Sequence, residues 1–146
     1  MSEQNKALYR RILEEVWNQG KLDVIDELWA ADSVTYDASF PGGRNTGPEG
    51  SRQFVETTRA AFSDLRFTIH DQIAEGDKVV TRWTMTGAHR GALMGIAPAG
   101  KRVTATGISI ARFQAGRLVE SWNNWDRLTM LQQLGALPSL TAGTLA

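Results

Sequence analysis

The chain has 146 residues, enough for one domain with a real core, and we assign residues 5–137 to that core and 138–146 to a tail. Its 16 basic and 16 acidic side chains balance, which removes the electrostatic reason to bind nucleic acid or an anionic membrane. The absence of cysteine excludes disulfides, a thiolate nucleophile and cysteine metal sites, and no apolar run approaches the roughly 20 residues that span a bilayer. Because the N-terminus is polar and lacks the apolar region of a signal peptide, we expect a cytoplasmic protein.

Two helices are predicted first. Residues 4–19 carry two adjacent apolar rows, which is typical of an amphipathic helix, and Gly20 is suited to end it. A second, shorter helix follows over residues 21–30. Trp17 lies in the first helix, either in the core or at the edge of a pocket where its indole N–H finds a partner.

A strand over residues 33–40 and a third helix come next. The strand alternates, with Tyr36 on its apolar face and Asp37 on the opposite face, which we expect to be solvated. Residues 41–45 are typical of a loop. The third helix begins at Pro48, ends near Asp64 and carries Phe54 on its inner face.

Two long strands are predicted over residues 65–75 and 78–90. Ile73 falls on the apolar face of the first, while Trp83 and His89 share one face of the second. A histidine on an apolar face is more often a hydrogen-bonded core residue than a catalyst, yet histidine is the usual acid–base residue, so both readings stay open. The loop 91–100 is apolar enough to pack down as a lid or to form an interface.

The next strand carries a face of small residues. Gly107 and Ser109 lie on it, and they indicate either the floor of a pocket or the close approach of a packed helix. We favour a three-residue turn at 114–116, because the strong two-residue turn signals are absent. That turn places Ser109 opposite Ser121, with Asn123 diagonal to it on the same face.

The last helix has clear ends. Asp126 is suited to cap its N-terminus, a role we favour over catalysis, and Gly135 follows its last apolar residue. Its buried stripe is predicted to consist of Leu128, Leu131 and Leu134.

These elements predict an α+β fold in which a curved, mostly antiparallel sheet and N-terminal helices enclose a cone-shaped pocket. The outer face of the sheet would carry Trp122 and Ile108, which is too apolar for water. We therefore expect a homodimer or homotetramer.

Four stretches of the sequence resemble those of a known protein family. They are EEVWNQGKLD, the TGPEG before the third helix, EGDKVVTRWTMTGAHRGALMGIAPAGK and GISIARFQAGRLVESWNNWDRLTMLQQLG. In this order they resemble the SnoaL-like polyketide cyclases, which have the nuclear-transport-factor-like cone fold. The resemblance implies intramolecular aldol closure of a polyketide ester without metal or cofactor. It places the family's catalytic Asp and His at Asn123 and Ser109, and pocket-wall positions at Trp17 and Phe54.

The amide of Asn123 cannot serve as a base. We therefore predict a cofactor-independent cyclase that folds a hydrophobic polyketide-type molecule and polarises it by hydrogen bonds. One alternative is an isomerase or hydrolase using another carboxylate or histidine of the pocket, and the other is a binding protein without chemistry. The candidate catalytic residues are Asn123, Ser109, His89 and Asp126. The candidate substrate contacts are Trp17, Phe54, Asp37, Trp83, Gly107 and Ser121, and no metal site is predicted.

Overall fold

A computed structural model describes residues 2–138. The chain begins with helix α1, Ser2–Arg11, which continues as a π-helix over Ile12–Asn18. The later helices are α2 at Asp23–Leu28, α3 at Pro48–Ala61 and α4 at Arg127–Gln133, with a short 3-10 turn at Pro41–Gly43. The strands are β1 at Trp29–Tyr36, β2 at Arg44–Thr46, β3 at Phe62–Glu75, β4 at Lys78–His89, β5 at Arg102–Gln114 and β6 at Arg117–Trp125.

The strands form one six-stranded sheet in the order β2-β1-β6-β5-β4-β3. Every neighbouring pair is antiparallel except β1 and β6, which run parallel. Bulges in β1, β3 and β6 interrupt the ladders, and bulges bend a sheet. The predicted α+β class with a mostly antiparallel sheet is confirmed.

The core lies between the inner sheet face and the helices. Helix α1 packs against β3 and β4, the π-helix packs against β3, and α3 contacts β1 and β3. Alternation along β5 is complete: every second residue from Val103 to Phe113 is buried, including Gly107 and Ser109. The predicted face of small residues therefore does point into the protein.

The turn between β5 and β6 differs from the prediction. Gln114 pairs with Arg117, so the loop has two residues, Ala115 and Gly116, both with positive φ of 51° and 77°. These angles are typical of the type I′ turn that suits a twisted hairpin. Val119 is then an extra residue, because Phe113 pairs with Leu118 while Arg112 pairs with Glu120.

This bulge restores the predicted faces. A two-residue loop alone would turn Trp122 inward, but one extra residue shifts the alternation by one position. Asn123 consequently lies directly opposite Ser109, not diagonal to it, and Ser121 lies opposite Ala111. The predicted loop length was wrong, while the predicted inward side chains were right.

Strand β1 differs from the prediction in the direction of its polar face. Its parallel pairing with β6 places Thr35 beside Ser121 and Tyr36 beside Trp122. The Ser121 hydroxyl donates to Thr35 Oγ1 at 3.0 Å inside the protein, and the Tyr36 and Trp122 rings stack with centroids 5.8 Å apart. The polar face of β1 therefore points inward, so that Asp37 is 5% exposed and not solvated.

Several element boundaries and apolar faces also shift. Helix α3 ends at Ala61, before Asp64, and β1 begins at Trp29 because it pairs there with β6. Ile73 is 67% exposed, since a bulge between Ile69 and Asp71 reverses the alternation of β3. In α4 the buried stripe uses Met130, whereas Leu128 is 48% exposed.

Within residues 2–138, no helix is both long and apolar enough to cross a membrane. The predicted tail lies, from residue 139 onward, outside the described residues.

Candidate functional site

A cavity of about 230 Å³ lies between the helices and the inner sheet face. Most of its wall is apolar and comes from the π-helix, α3 and the inner residues of β3 and β4. Its aromatic wall is continuous: Trp17 packs on Phe67 with centroids 5.0 Å apart, and Phe67 packs on Trp83 at 4.9 Å. Phe54 meets Trp17 edge to face at 5.7 Å. An apolar cavity with few polar groups is typical of a small-molecule site.

The loop 91–100 closes one side of this cavity. Leu93 and Met94 both line it, and Leu93 exchanges backbone hydrogen bonds with Ile96 to form a tight turn. This position is compatible with the predicted role of the loop as a lid, and its role as an interface stays a prediction. Met94 remains 48% exposed and adopts a positive φ of 49°.

Ser109 is held at the floor by Trp83. The Trp83 indole N–H donates to Ser109 Oγ at 3.0 Å, and Ser109 is 2% exposed. The same indole lies across Gly107, where an added Cβ would clash with Trp83 Cζ2. Gly107 is therefore small because a side chain packs on it, and the expected empty floor is occupied by Trp83. Gly107 itself lies beside a shallow groove outside the cavity.

Asn123 lines the cavity opposite Ser109. Its side-chain amide forms no hydrogen bond with any of the described residues, although an amide offers two donors and an acceptor with two lone pairs. It also reaches a small neighbouring chamber of about 50 Å³, which Ser121 and Thr35 line. Ser121 thus lies next to the main cavity, bonded to Thr35, and not in its wall.

Asp37 is the one charged residue among those described that line the cavity. It follows β1, and its Oδ1 accepts the backbone N–H of Ser39 at 2.8 Å, which fixes a local turn. The second oxygen accepts no hydrogen bond from the described residues. A carboxylate with a free oxygen in an apolar cavity is chemically available to a ligand.

Tyr9 is a cavity residue that sequence reasoning did not select. Burial raises the pKa of its phenol to about 12; the nearby Ser109 hydroxyl opposes this rise and negative Asp37 adds to it. The phenol is therefore neutral near pH 7 and keeps its proton for donation. A signal was present in the sequence, since Tyr9, Leu13 and Trp17 form one row of the first helix and all three line the cavity.

His89 lies outside the cavity wall. It is completely buried, packs against Phe62 with centroids 5.8 Å apart, and its Nδ1 accepts the Ala99 N–H at 3.1 Å. In the neutral ring the proton then resides on Nε2, which has no partner among the described residues. Phe62 lines the cavity, whereas His89, packed on the Phe62 ring, does not. His89 ties the end of the lid to β4.

Asp126 caps α4, as predicted. Its Oδ1 accepts the Thr129 backbone N–H at 2.9 Å and its Oδ2 accepts the Thr129 hydroxyl at 2.6 Å. These two bonds, the side-chain bond first, hold the pKa of the Asp126 carboxyl below its usual value. It borders the outer groove instead of the cavity, and both oxygens are engaged in the cap.

The structure therefore brings together Asn123, Ser109, Trp17, Phe54, Asp37 and Trp83, and leaves His89, Asp126, Gly107 and Ser121 outside the cavity wall. Within residues 2–138, no three carboxylate or histidine side chains gather where a metal ion could bind.

Similarity to known proteins extends over most of the chain. The family model described as SnoaL-like polyketide cyclase matches residues 7–134. The chain is 29% identical over 120 residues to nogalonic acid methyl ester cyclase of Streptomyces nogalater. The aligned region covers 82% of this chain and 89% of that relative.

Solved structures show the same likeness. AclR, a proposed hydroxylase of Streptomyces galilaeus, superposes with a TM-score of 0.85 at 30% identity, covering 99% of this chain and 89% of AclR. IdmH, a proposed polyketide cyclase of Streptomyces antibioticus, has a TM-score of 0.79 at 34% identity, covering 90% of this chain and 99% of IdmH.

Proposed function

We propose that this chain, which belongs to the SnoaL-like polyketide cyclase family, closes a ring in a hydrophobic polyketide-type molecule without metal or cofactor. The observation that carries this proposal is the Asn123 amide, which lines an apolar cavity and has no hydrogen-bond partner among the described residues. The cavity wall folds the chain of the substrate and excludes water, which brings the reacting carbons together.

Polarisation of a carbonyl supplies the second contribution. In an aldol closure, the enol carbon attacks a ketone carbon of the same molecule, and the enol proton passes to the new alkoxide. Asn123 donates a hydrogen bond to that oxygen while its charge develops, and a preorganised donor of this kind is typically worth about 10²–10³ in rate. Ser109, fixed by Trp83, orients the same group from the facing strand.

A second candidate is proton transfer by Asp37, favoured by its being the only charged side chain that lines the cavity among the described residues. Here the Asp37 carboxylate removes the proton next to a carbonyl, and the neutral Tyr9 phenol donates a hydrogen bond to the enolate oxygen. After the new carbon–carbon bond forms, Asp37 returns the proton to the alkoxide. The same pair of groups also suits an isomerase, in which the proton returns to a different carbon.

Two substitutions separate these candidates. The first substrate to test is nogalonic acid methyl ester, which appears in the name of the Streptomyces nogalater relative. Product formation is followed by chromatography. Under polarisation, Asp37→Asn keeps most of the rate, because asparagine preserves the turn to Ser39, and Asn123→Asp reduces it by placing a charge in the cavity. Under proton transfer, Asp37→Asn reduces the rate by about 10²–10⁴.

The wild-type protein decides whether chemistry occurs at all. Conversion of the ester to an isomeric cyclic product supports a cyclase, whereas tight binding with no conversion contradicts it and favours a binding protein. Dialysis against a chelator should leave the rate unchanged. Loss of the rate, and its recovery with one divalent ion, would contradict the metal-free proposal.

We also propose that a second copy of the chain covers the outer sheet face. This face carries Ile108, 49% exposed, beside the stacked Tyr36 and Trp122, with the Lys78 ammonium 5.9 Å from the Trp122 ring centroid. Light scattering at micromolar concentration should give a dimer or tetramer, and Ile108→Lys should shift it toward monomer. A monomeric wild-type protein would contradict the proposal.

A further inference from the structure

Arg127 lies at the rim of the cavity, where three segments of its wall meet. Its Nη1 donates to the Ala38 carbonyl at 3.2 Å, and Ala38 stands between the cavity residues Asp37 and Ser39. Its Nη2 lies 3.3 Å from the sulfur of Met94, the lid residue. The guanidinium carbon also sits 5.9 Å from the ring centroid of Trp125, a third cavity residue.

The hydrogen-bonding capacity of this guanidinium is largely unmet. An arginine offers five N–H donors, but among the described residues Arg127 has one oxygen acceptor and one thioether, which is a weak acceptor. Its Nε is buried and has no partner. No carboxylate of the described residues forms an ion pair with it, in contrast to Arg52, which pairs with Asp26, and Arg112, which pairs with Glu120.

A fixed positive charge beside an apolar cavity selects for a particular ligand. The apolar wall disfavours an ion in the interior, because an unpaired charge loses its hydration there. The rim is different, since the planar guanidinium matches the two oxygens of a carboxylate. A ligand with an apolar ring system and an acidic end would satisfy both regions.

We propose that Arg127 is a binding residue for a carboxylate of the ligand, whose apolar body enters the cavity toward Asn123. This inference rests on the proposed function, because it uses the same cavity. It adds a substrate class, an aromatic or polyketide-type acid, and an orientation with the acidic end at the lid.

A pair of bicyclic probes isolates this contact. Binding of 2-naphthoate and of the neutral 2-naphthamide is measured by calorimetry for the wild type, Arg127→Gln, Arg127→Lys and Arg66→Gln. Arg66 is exposed on β3 and does not line the cavity, so its substitution removes the same charge elsewhere.

The expected result is a wild-type preference of roughly tenfold or more for naphthoate, as a hydrogen-bonded charge pair supplies. Arg127→Gln should remove the preference by weakening naphthoate binding alone, Arg127→Lys should restore part of it, and Arg66→Gln should keep it. The preference should also fall with added salt.

Other outcomes overturn the inference in distinguishable ways. Equal binding of both probes by the wild type contradicts the carboxylate site but leaves the cavity in place. Loss of naphthamide binding in Arg127→Gln shows that Arg127 only maintains the rim. Binding of neither probe by the wild type contradicts both this inference and the proposed cavity.

Discussion

Asn123 and Asp126 are three residues apart at the end of β6, yet the fold uses them differently. Asp126 engages both carboxylate oxygens with Thr129 and caps α4. Asn123 lies in the cavity wall, and its amide has no partner among the described residues. A polar residue is available to a ligand when local structure leaves its hydrogen bonds unmade. Residue type alone would favour the carboxylate.

The largest effect should come from Asn123→Ala. We expect turnover of the test ester to fall by about 10²–10³, because the donor to the developing oxyanion is lost. Asn124→Ala is the matched control, since Asn124 is exposed and pairs with Ile108 on the outer face. Thermal melting establishes that both variants fold. Equal rates in the two variants would remove Asn123 from the site and favour Asp37.

A smaller effect should follow from Gly107→Ala, which tests whether Trp83 must stay in place for Ser109 to be positioned. The added Cβ would clash with the Trp83 ring, so the indole must shift. We expect a loss of about 1–3 kcal/mol in the free energy of unfolding, as overpacking usually costs, together with weaker ligand binding. Urea unfolding and probe titration measure the two effects. Unchanged stability would show that Trp83 moves freely.

The smallest effect should come from Asp126→Ala. Loss of the cap should lower the free energy of unfolding by about 1 kcal/mol and leave turnover unchanged. Because the folded pKa of Asp126 lies below its unfolded value, this stabilisation is present above the unfolded pKa and disappears as pH falls through the folded pKa. Urea titrations should therefore show the two proteins converging in acid. A large loss of turnover would return Asp126 to the catalytic candidates.

The sequence predicts local features well. Alternation placed Ser109 inward on β5, and the capping pattern located both Asp126 and Gly135, whose φ is 78°. These features depend on a few neighbouring residues. The inward position of Asn123 was also predicted, though from a loop of the wrong length.

The features that sequence reasoning missed depend on contacts between distant residues. Asp37 was assigned to solvent because its strand alternates, but the parallel pairing of β1 with β6 turns its polar face inward. The bulge at Val119 has no signature in the residues of the turn. The small face around Gly107 could not reveal that Trp83, on the neighbouring strand, packs across it.

Side-chain NMR can show whether the Asn123 amide contacts the ligand. In a ¹⁵N-labelled protein, the NH₂ signals of Asn123 and Asn124 are assigned from the spectra of the two alanine variants, and 2-naphthamide is then titrated. We expect a saturable shift of the Asn123 signals, while those of Asn124, on the opposite face of the same strand, stay in place. Saturable binding of the probe with the Asn123 signals unmoved would contradict it.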